Sequence, residues 1–182
     1  ASINYMRING KLIKSSRLFL GNEYKFQIEK LNKHFGVADD YHKSIAFNSE
    51  VYYKVNNDFK YHFKWECLED ERMPHQTNFA FDDYDHAYHQ LMTELVSLQI
   101  KSVNKAIGND KIKRLYIDGG FSDNDTYVKL LTHHFTEKKI RTTDASLGSA
   151  LGAAIVISDT KLNSQFLKEN YALKKHVPTI LK

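Results

Sequence analysis

From Arg114 onward the chain sets a strand, a diglycine turn, a helix, a second strand and a second helix in direct succession, an order that few folds accept. The strands fall at 114–117 and 140–143 and the helices at 124–135 and 147–158. Strand and helix in alternation predict an α/β sheet. The first strand ends in Asp118-Gly119-Gly120-Phe121-Ser122-Asp123-Asn124. Glycines at such a turn let the backbone approach a ligand closely, and the N–H groups at the start of the next helix attract phosphate. On its own this is equally a tight strand-to-helix turn. A second stretch, Leu147-Gly148-Ser149-Ala150-Leu151-Gly152-Ala153-Ala154, repeats small residues along a short helix that can lie close to a neighbour.

Upstream, Asn9-Gly10 separates two β-leaning runs, 2–8 and 11–20, and predicts a hairpin. A helix is expected from Gly21-Asn22, with Asn22 as its N-cap, Phe26, Ile28, Leu31 and Phe35 on its apolar side, and Gly36 as its stop. Asp39-Asp40 is read as the cap of a second helix reaching about Tyr53. Phe59, Tyr61, Phe63 and Trp65 alternate with Lys60, His62, Lys64 and Glu66, the period of a strand with an aromatic face. The longest helix is expected over 82–107, where Tyr84, Ala87, Leu91, Leu95 and Leu98 keep three- and four-residue steps. The tail from Leu162 reads as one more helix and an extended end after Pro178.

At 182 residues and 42% hydrophobic, the chain is long enough to bury a core. Its net charge of +4 comes from scattered basic residues and not from a block, which argues against a nucleic-acid surface. The aromatic run also alternates with basic residues, as a base-stacking platform would, but Glu66, Glu69, Asp70 and Glu71 follow it directly. A buried strand, covered by the chain or by a second copy in a homodimer, is the expectation. One cysteine, Cys67, excludes an internal disulfide and fits a cytoplasmic setting, with neither signal peptide nor membrane span expected.

Other chemistry-bearing residues have plainer readings. His86 and His89 follow Asp82 and Asp85 by four residues, but no cysteine or third histidine completes metal spacing, so a polar helix end is expected. His133 and His134 face different sides of a helix, and Cys67 lacks a histidine partner. Glu23 and Glu29 read as surface charges on an amphipathic helix. Asp118 stands where it either approaches a magnesium-bound phosphate or caps backbone.

Together, the diglycine unit and the Ala-Leu-Gly-Ala-Ala helix resemble the end of the FGGY carbohydrate kinase family, and 14–35, KSSRLFLGNEYKFQIEKLNKHF, is similar to the start of the C-terminal half of rhamnulokinase-like and fuculokinase-like members. The resemblance implies an actin-like ATPase, ribonuclease H-like fold, a mixed sheet flanked by helices. It implies ATP and magnesium as cofactors and transfer of the γ-phosphoryl group to a ketose or deoxyketose hydroxyl. Gly119 and Gly120 would pass beside the phosphates, Asn124 would stand next to the adenine, and Ser122 and Asp123 would touch the adenosine. Phe121 stands where many members carry a small residue. In that family the sugar site lies largely in the N-terminal half, and a general-base aspartate and a Gly/Thr-rich phosphate loop stand near the start of this half, where no residue of the chain is assigned to them, so 1–182 is expected to be a nucleotide-binding fragment with no catalytic residue and no metal ligand of its own. The rival expectation is a non-catalytic interaction domain that uses 59–65 as a partner surface.

Overall fold

The structure, a computed structural model, describes residues 2–8, 10–57, 62–68, 81–143, 153, 157 and 173–181. The chain divides into two compact units, one built on 17–103 and the other on 3–16 with 104–180.

The first unit is helical. Its first helix, α1 (Leu20–Phe35), starts three residues earlier than expected, with buried Leu20 in its first turn; Asn22 lies inside that turn and Phe19 holds the cap position with no side-chain bond. Gly36 closes the helix at φ 64°, the left-handed conformation that glycine tolerates. The single helix expected from Asp39 to Tyr53 is two pieces. A 3-10 turn (Tyr41–Ser44) comes first, where Ser44 Oγ donates to the Tyr41 carbonyl at 2.7 Å and Asn32 Nδ2 donates to the Asp39 carbonyl at 3.0 Å. The helix α2 (Ser49–Asn57) then restarts on Asn48, whose Oδ1 accepts from the N–H groups of Glu50 and Val51. The long helix α3 (Tyr84–Ile107) begins where Asp83 Oδ1 accepts from the His86 N–H at 2.9 Å. Its inner face, Ala87, Leu91, Met92 and Leu95, is wholly buried, as the three- and four-residue steps predicted.

Residues 62–65 form no strand, which corrects that expectation, and 59–61 lie outside the described residues. The physical reason is that side chains, not a neighbouring strand, take up the backbone N–H groups here. Glu94 accepts from the Phe63 N–H at 3.2 Å. Glu23 accepts from the N–H groups of Glu66 and Cys67, at 3.0 and 2.6 Å, and Gln27 bridges Glu23 to the Lys64 carbonyl. Glu23 is 0% exposed, so the reading of it as a surface charge is overturned; Glu29 is exposed as expected. The alternation still sorts the side chains, with Phe63 and Trp65 buried and stacked 6.2 Å apart while Lys64 and Glu66 are exposed.

The second unit carries two small sheets. β1 (Ser2–Ile8) and β2 (Lys11–Arg17) make the expected hairpin, with Gly10 at φ 75°. β3 (Arg114–Ile117) pairs in parallel with β4 (Lys139–Thr142), and α4 (Asp125–His134) is the crossover between them. A strand that the sequence reading missed, β5 (Lys174–His176), lies antiparallel on β4, with Ile140 opposite His176. The sheet is therefore mixed, in the order β3-β4-β5. Beyond β5, Thr179 is tied to α4 through the Thr132 hydroxyl at 2.8 Å and His133 Nδ1 at 3.0 Å. The helix expected over 147–158 lies outside the described residues except for Ala153 and Ile157, which are helical. The helix expected in the tail lies outside them too. No helix among the described residues is long and apolar enough to cross a membrane.

Candidate functional site

The turn between β3 and α4 is built by hydrogen bonds from both sides. The Ser122 N–H donates to the Gly119 carbonyl at 2.9 Å and the Asn124 N–H to the Phe121 carbonyl at 3.3 Å, so 119–124 is a coiled connection and not a slack loop. Gly119 has φ 81°, a backbone conformation that side chains with a Cβ rarely adopt. Gly120 lies outside that region. At both glycines a Cβ would meet no atom of the described residues within 4 Å, so among these the turn offers open space on the side where side chains would otherwise stand.

Asn124 is the N-cap of α4: its Oδ1 accepts from the Tyr127 N–H at 2.9 Å. Such a cap fixes the direction in which the first helical N–H groups point. Phe121 turns back onto α4, its ring stacked on Tyr127 with centroids 4.5 Å apart. Burial pushes the Tyr127 phenol well above its ordinary pKa, so it stays neutral. Ser122 is half-buried and Asp123 exposed. The sequence-predicted residues Gly119, Gly120, Ser122, Asp123 and Asn124 are thus gathered on one turn at the C-terminal end of a parallel strand, where open α/β sheets bind ligands.

Two threonines at this turn were missed. Thr143 Oγ1 donates to Asp118 Oδ1 in a short bond, and the Thr143 N–H donates to the Ile117 carbonyl at 3.1 Å. Asp118 therefore ties the ends of β3 and β4 together, a role neither reading foresaw. The register that sets Ile117 against Thr142, once known, places the next pair side by side. Thr126, in the first turn of α4, is 0% exposed, and its hydroxyl has no hydrogen-bond partner among the described residues. The local charge is negative. Asp118, Asp123 and Asp125 are all exposed around the turn, with Asp125 paired to Lys129 at 2.9 Å.

The other chemistry-bearing residues do not form a site. Asp82 pairs with Lys54 at 2.9 Å and His86 with Asp83 at 2.7 Å, while His89 is buried. Among the described residues no group of histidine, cysteine, aspartate and glutamate could hold a metal ion. His133 reaches Thr179 whereas His134 packs edge-on against Phe135, so they do diverge. Cys67 is exposed. A cleft of about 490 Å³ opens on the first unit beside Tyr24, Glu29 and His42, and none of the residues expected to meet nucleotide lines it.

No family's sequence pattern matches the chain, and no curated protein does so significantly. Its fold is similar to that of a carbohydrate kinase from Novosphingobium aromaticivorans known from a crystal structure, at a TM-score of 0.55 and 13% identity. The match takes in 93% of this chain and 35% of that one, so the chain spans about a third of the kinase's length. At that identity the likeness is one of fold.

Proposed function

We propose that the chain is the nucleotide-binding part of a larger FGGY-type carbohydrate kinase of actin-like fold. The observation that carries this reading is the β3–Gly-Gly–α4 turn, open at both glycines and capped by Asn124, within a fold shared with a carbohydrate kinase. The residues present suit a nucleotide. Gly119 and Gly120 leave room for phosphate oxygens beside the backbone, the first N–H groups of α4 offer donors, and Ser122, Asp123 and Asn124 line the approach of the adenosine.

Three exposed aspartates surround this turn, and an uncompensated polyphosphate would be repelled by them. Magnesium supplies the missing positive charge when it arrives bound to the phosphates, so the species bound is Mg·ATP and no dedicated protein cage for the ion is needed. The parent reaction is transfer of the γ-phosphoryl group to a sugar hydroxyl, with the deprotonating carboxylate and the sugar pocket on a part of the enzyme outside 1–182. Of the partner surface that the interaction-domain alternative needs, Phe63 and Trp65 are buried within their own chain, and 59–61 lie outside the described residues.

The test is calorimetric titration of ATP with and without magnesium. Heat of binding with Mg·ATP, and weaker binding of ATP alone, is the expected result. No binding of either at millimolar nucleotide overturns the reading.

A further inference from the structure

His89 sits on the inner face of α3, 1% exposed, and both ring nitrogens are engaged. Nδ1 lies 2.8 Å from the Asp85 carbonyl, and Nε2 lies 2.9 Å from the backbone N of Asn48. A carbonyl can only accept and a backbone N–H can only donate. Both bonds therefore exist together only in the neutral tautomer that carries its proton on Nδ1 and leaves Nε2 bare. The partner residue matters as much as the bond, because Asn48 is the cap of α2 and its Oδ1 holds the N–H groups of Glu50 and Val51. The main-chain N–H of the cap is held by α3, and its side chain starts α2.

We infer that His89 is an acid-released latch: while its ring is neutral the bare Nε2 pins the start of α2 to α3, and protonation turns that acceptor into a donor and frees the helix start. With a proton on Nε2, two N–H groups face each other across 2.9 Å inside a buried contact. Among the described residues Val55 is the one buried residue of α2, Tyr52 packs on Phe47 with ring centroids 5.8 Å apart, and the Lys54–Asp82 pair joins side chains that are 52% and 69% exposed.

The charged groups facing the ring pull both ways. Asp85 and Asp83 favour the imidazolium and His86 disfavours it, while the rings of Phe47, 5.9 Å away, and Tyr88, 6.1 Å away, pack on it. Burial outweighs them and pushes the imidazole below its ordinary value. A base whose pKa is depressed in the folded state binds its proton more readily when released. The latched form accordingly has its full stability above about pH 6.5 and loses it as the pH falls from there through the lower folded value.

Two measurements on the full chain decide this. Nitrogen NMR of the His89 ring near neutral pH is expected to show the proton on Nδ1. Amide exchange should show the Asn48 protection factor falling, by up to about tenfold for each pH unit, as the pH drops from about 6.5 to the lower value of the folded ring, while Leu91 and Leu95 at the centre of α3 keep theirs. In His89→Gln the side-chain carbonyl replaces the acceptor and does not titrate, so Asn48 protection should hold through the same range. A proton on Nε2 near neutral pH, Asn48 protection unchanged as the ring titrates, or equal loss in H89Q would overturn the proposal. The ring tautomer and the unsubstituted protein's pH course need no variant, so the outcome is decided even if H89Q misfolds.

Discussion

Gly119 and Gly120 are adjacent but ask different things of the backbone. At Gly119, φ 81° makes any Cβ strained, so Gly119→Val should cost about 1–2 kcal/mol of stability whatever it does to a ligand. At Gly120 the conformation is unexceptional and the space beside it is open. Gly120→Val should therefore fold with a melting temperature close to the parent's, yet weaken nucleotide binding at least about tenfold by filling the place proposed for phosphate, a loss near 1.4 kcal/mol. Thermal melting and calorimetry on the two variants separate these effects. Unchanged affinity in folded Gly120→Val would falsify the assignment of the diglycine to the site.

Glu23 makes a second residue-scale case. Its buried carboxylate satisfies two backbone N–H groups and the Gln27 amide. Glu23→Ala should cost about 2–3 kcal/mol, since hydrogen bonds to a charged group are worth about 1.5–3 kcal/mol. Denaturant unfolding gives the number, and a change below about 0.5 kcal/mol, the range of an ordinary surface site, would return Glu23 to the role of surface charge.

Among the elements, the caps and the aromatic segment carry the contrast between local and tertiary signals. Asn124→Ala should lower stability by about 1 kcal/mol through loss of the α4 cap, and lower nucleotide affinity with it if the α4 N-terminus meets the ligand. Equal affinity at reduced stability would leave the cap purely structural. Phe63→Ala should cost about 3–5 kcal/mol, the range for emptying a buried aromatic site, with no gain or loss of nucleic-acid binding.

The elements legible in the sequence were those whose signals are local. The Asn9-Gly10 turn, the stepped apolar face of α3, Gly36 as a stop and the β3-turn-α4-β4 order all rest on neighbours in the chain. What escaped rests on partners far away. Residues 62–65 alternate like a strand, but Glu94 takes the Phe63 N–H and Glu23 takes those of Glu66 and Cys67 just beyond, from 31 to 44 positions away. β5 is three residues with two lysines and no apolar run, and becomes a strand only because β4 offers it an edge. Of the candidate site, the glycines and the cap could be read from turn chemistry. The Asp118–Thr143 tie could not, because it depends on the β3-β4 register.

For the whole chain, each unit has the means to fold without further sequence. The first buries Leu31, Leu91, Met92 and Leu95 completely, and the second buries Val128, Leu130 and Leu131 of α4 and Ile140 of β4. Catalysis is a separate matter. Phosphoryl transfer depends on several groups positioned and charged at once, and loss of one commonly costs orders of magnitude. The chain spans about 35% of the length of a carbohydrate kinase of similar fold, and on the proposed reading the sugar pocket and the deprotonating carboxylate belong to other parts of the enzyme. The 182-residue chain should therefore melt cooperatively and bind Mg·ATP, with the affinity of a half-open cleft, but release no ADP in response to sugar. A coupled ADP-release assay over ketoses, deoxyketoses and glycerol checks this. It should be run beside a longer protein that contains this chain and a sugar-binding half. Sugar-dependent turnover by the 182 residues alone would mean that the base and the sugar pocket lie within them, and would sink the proposed division of labour.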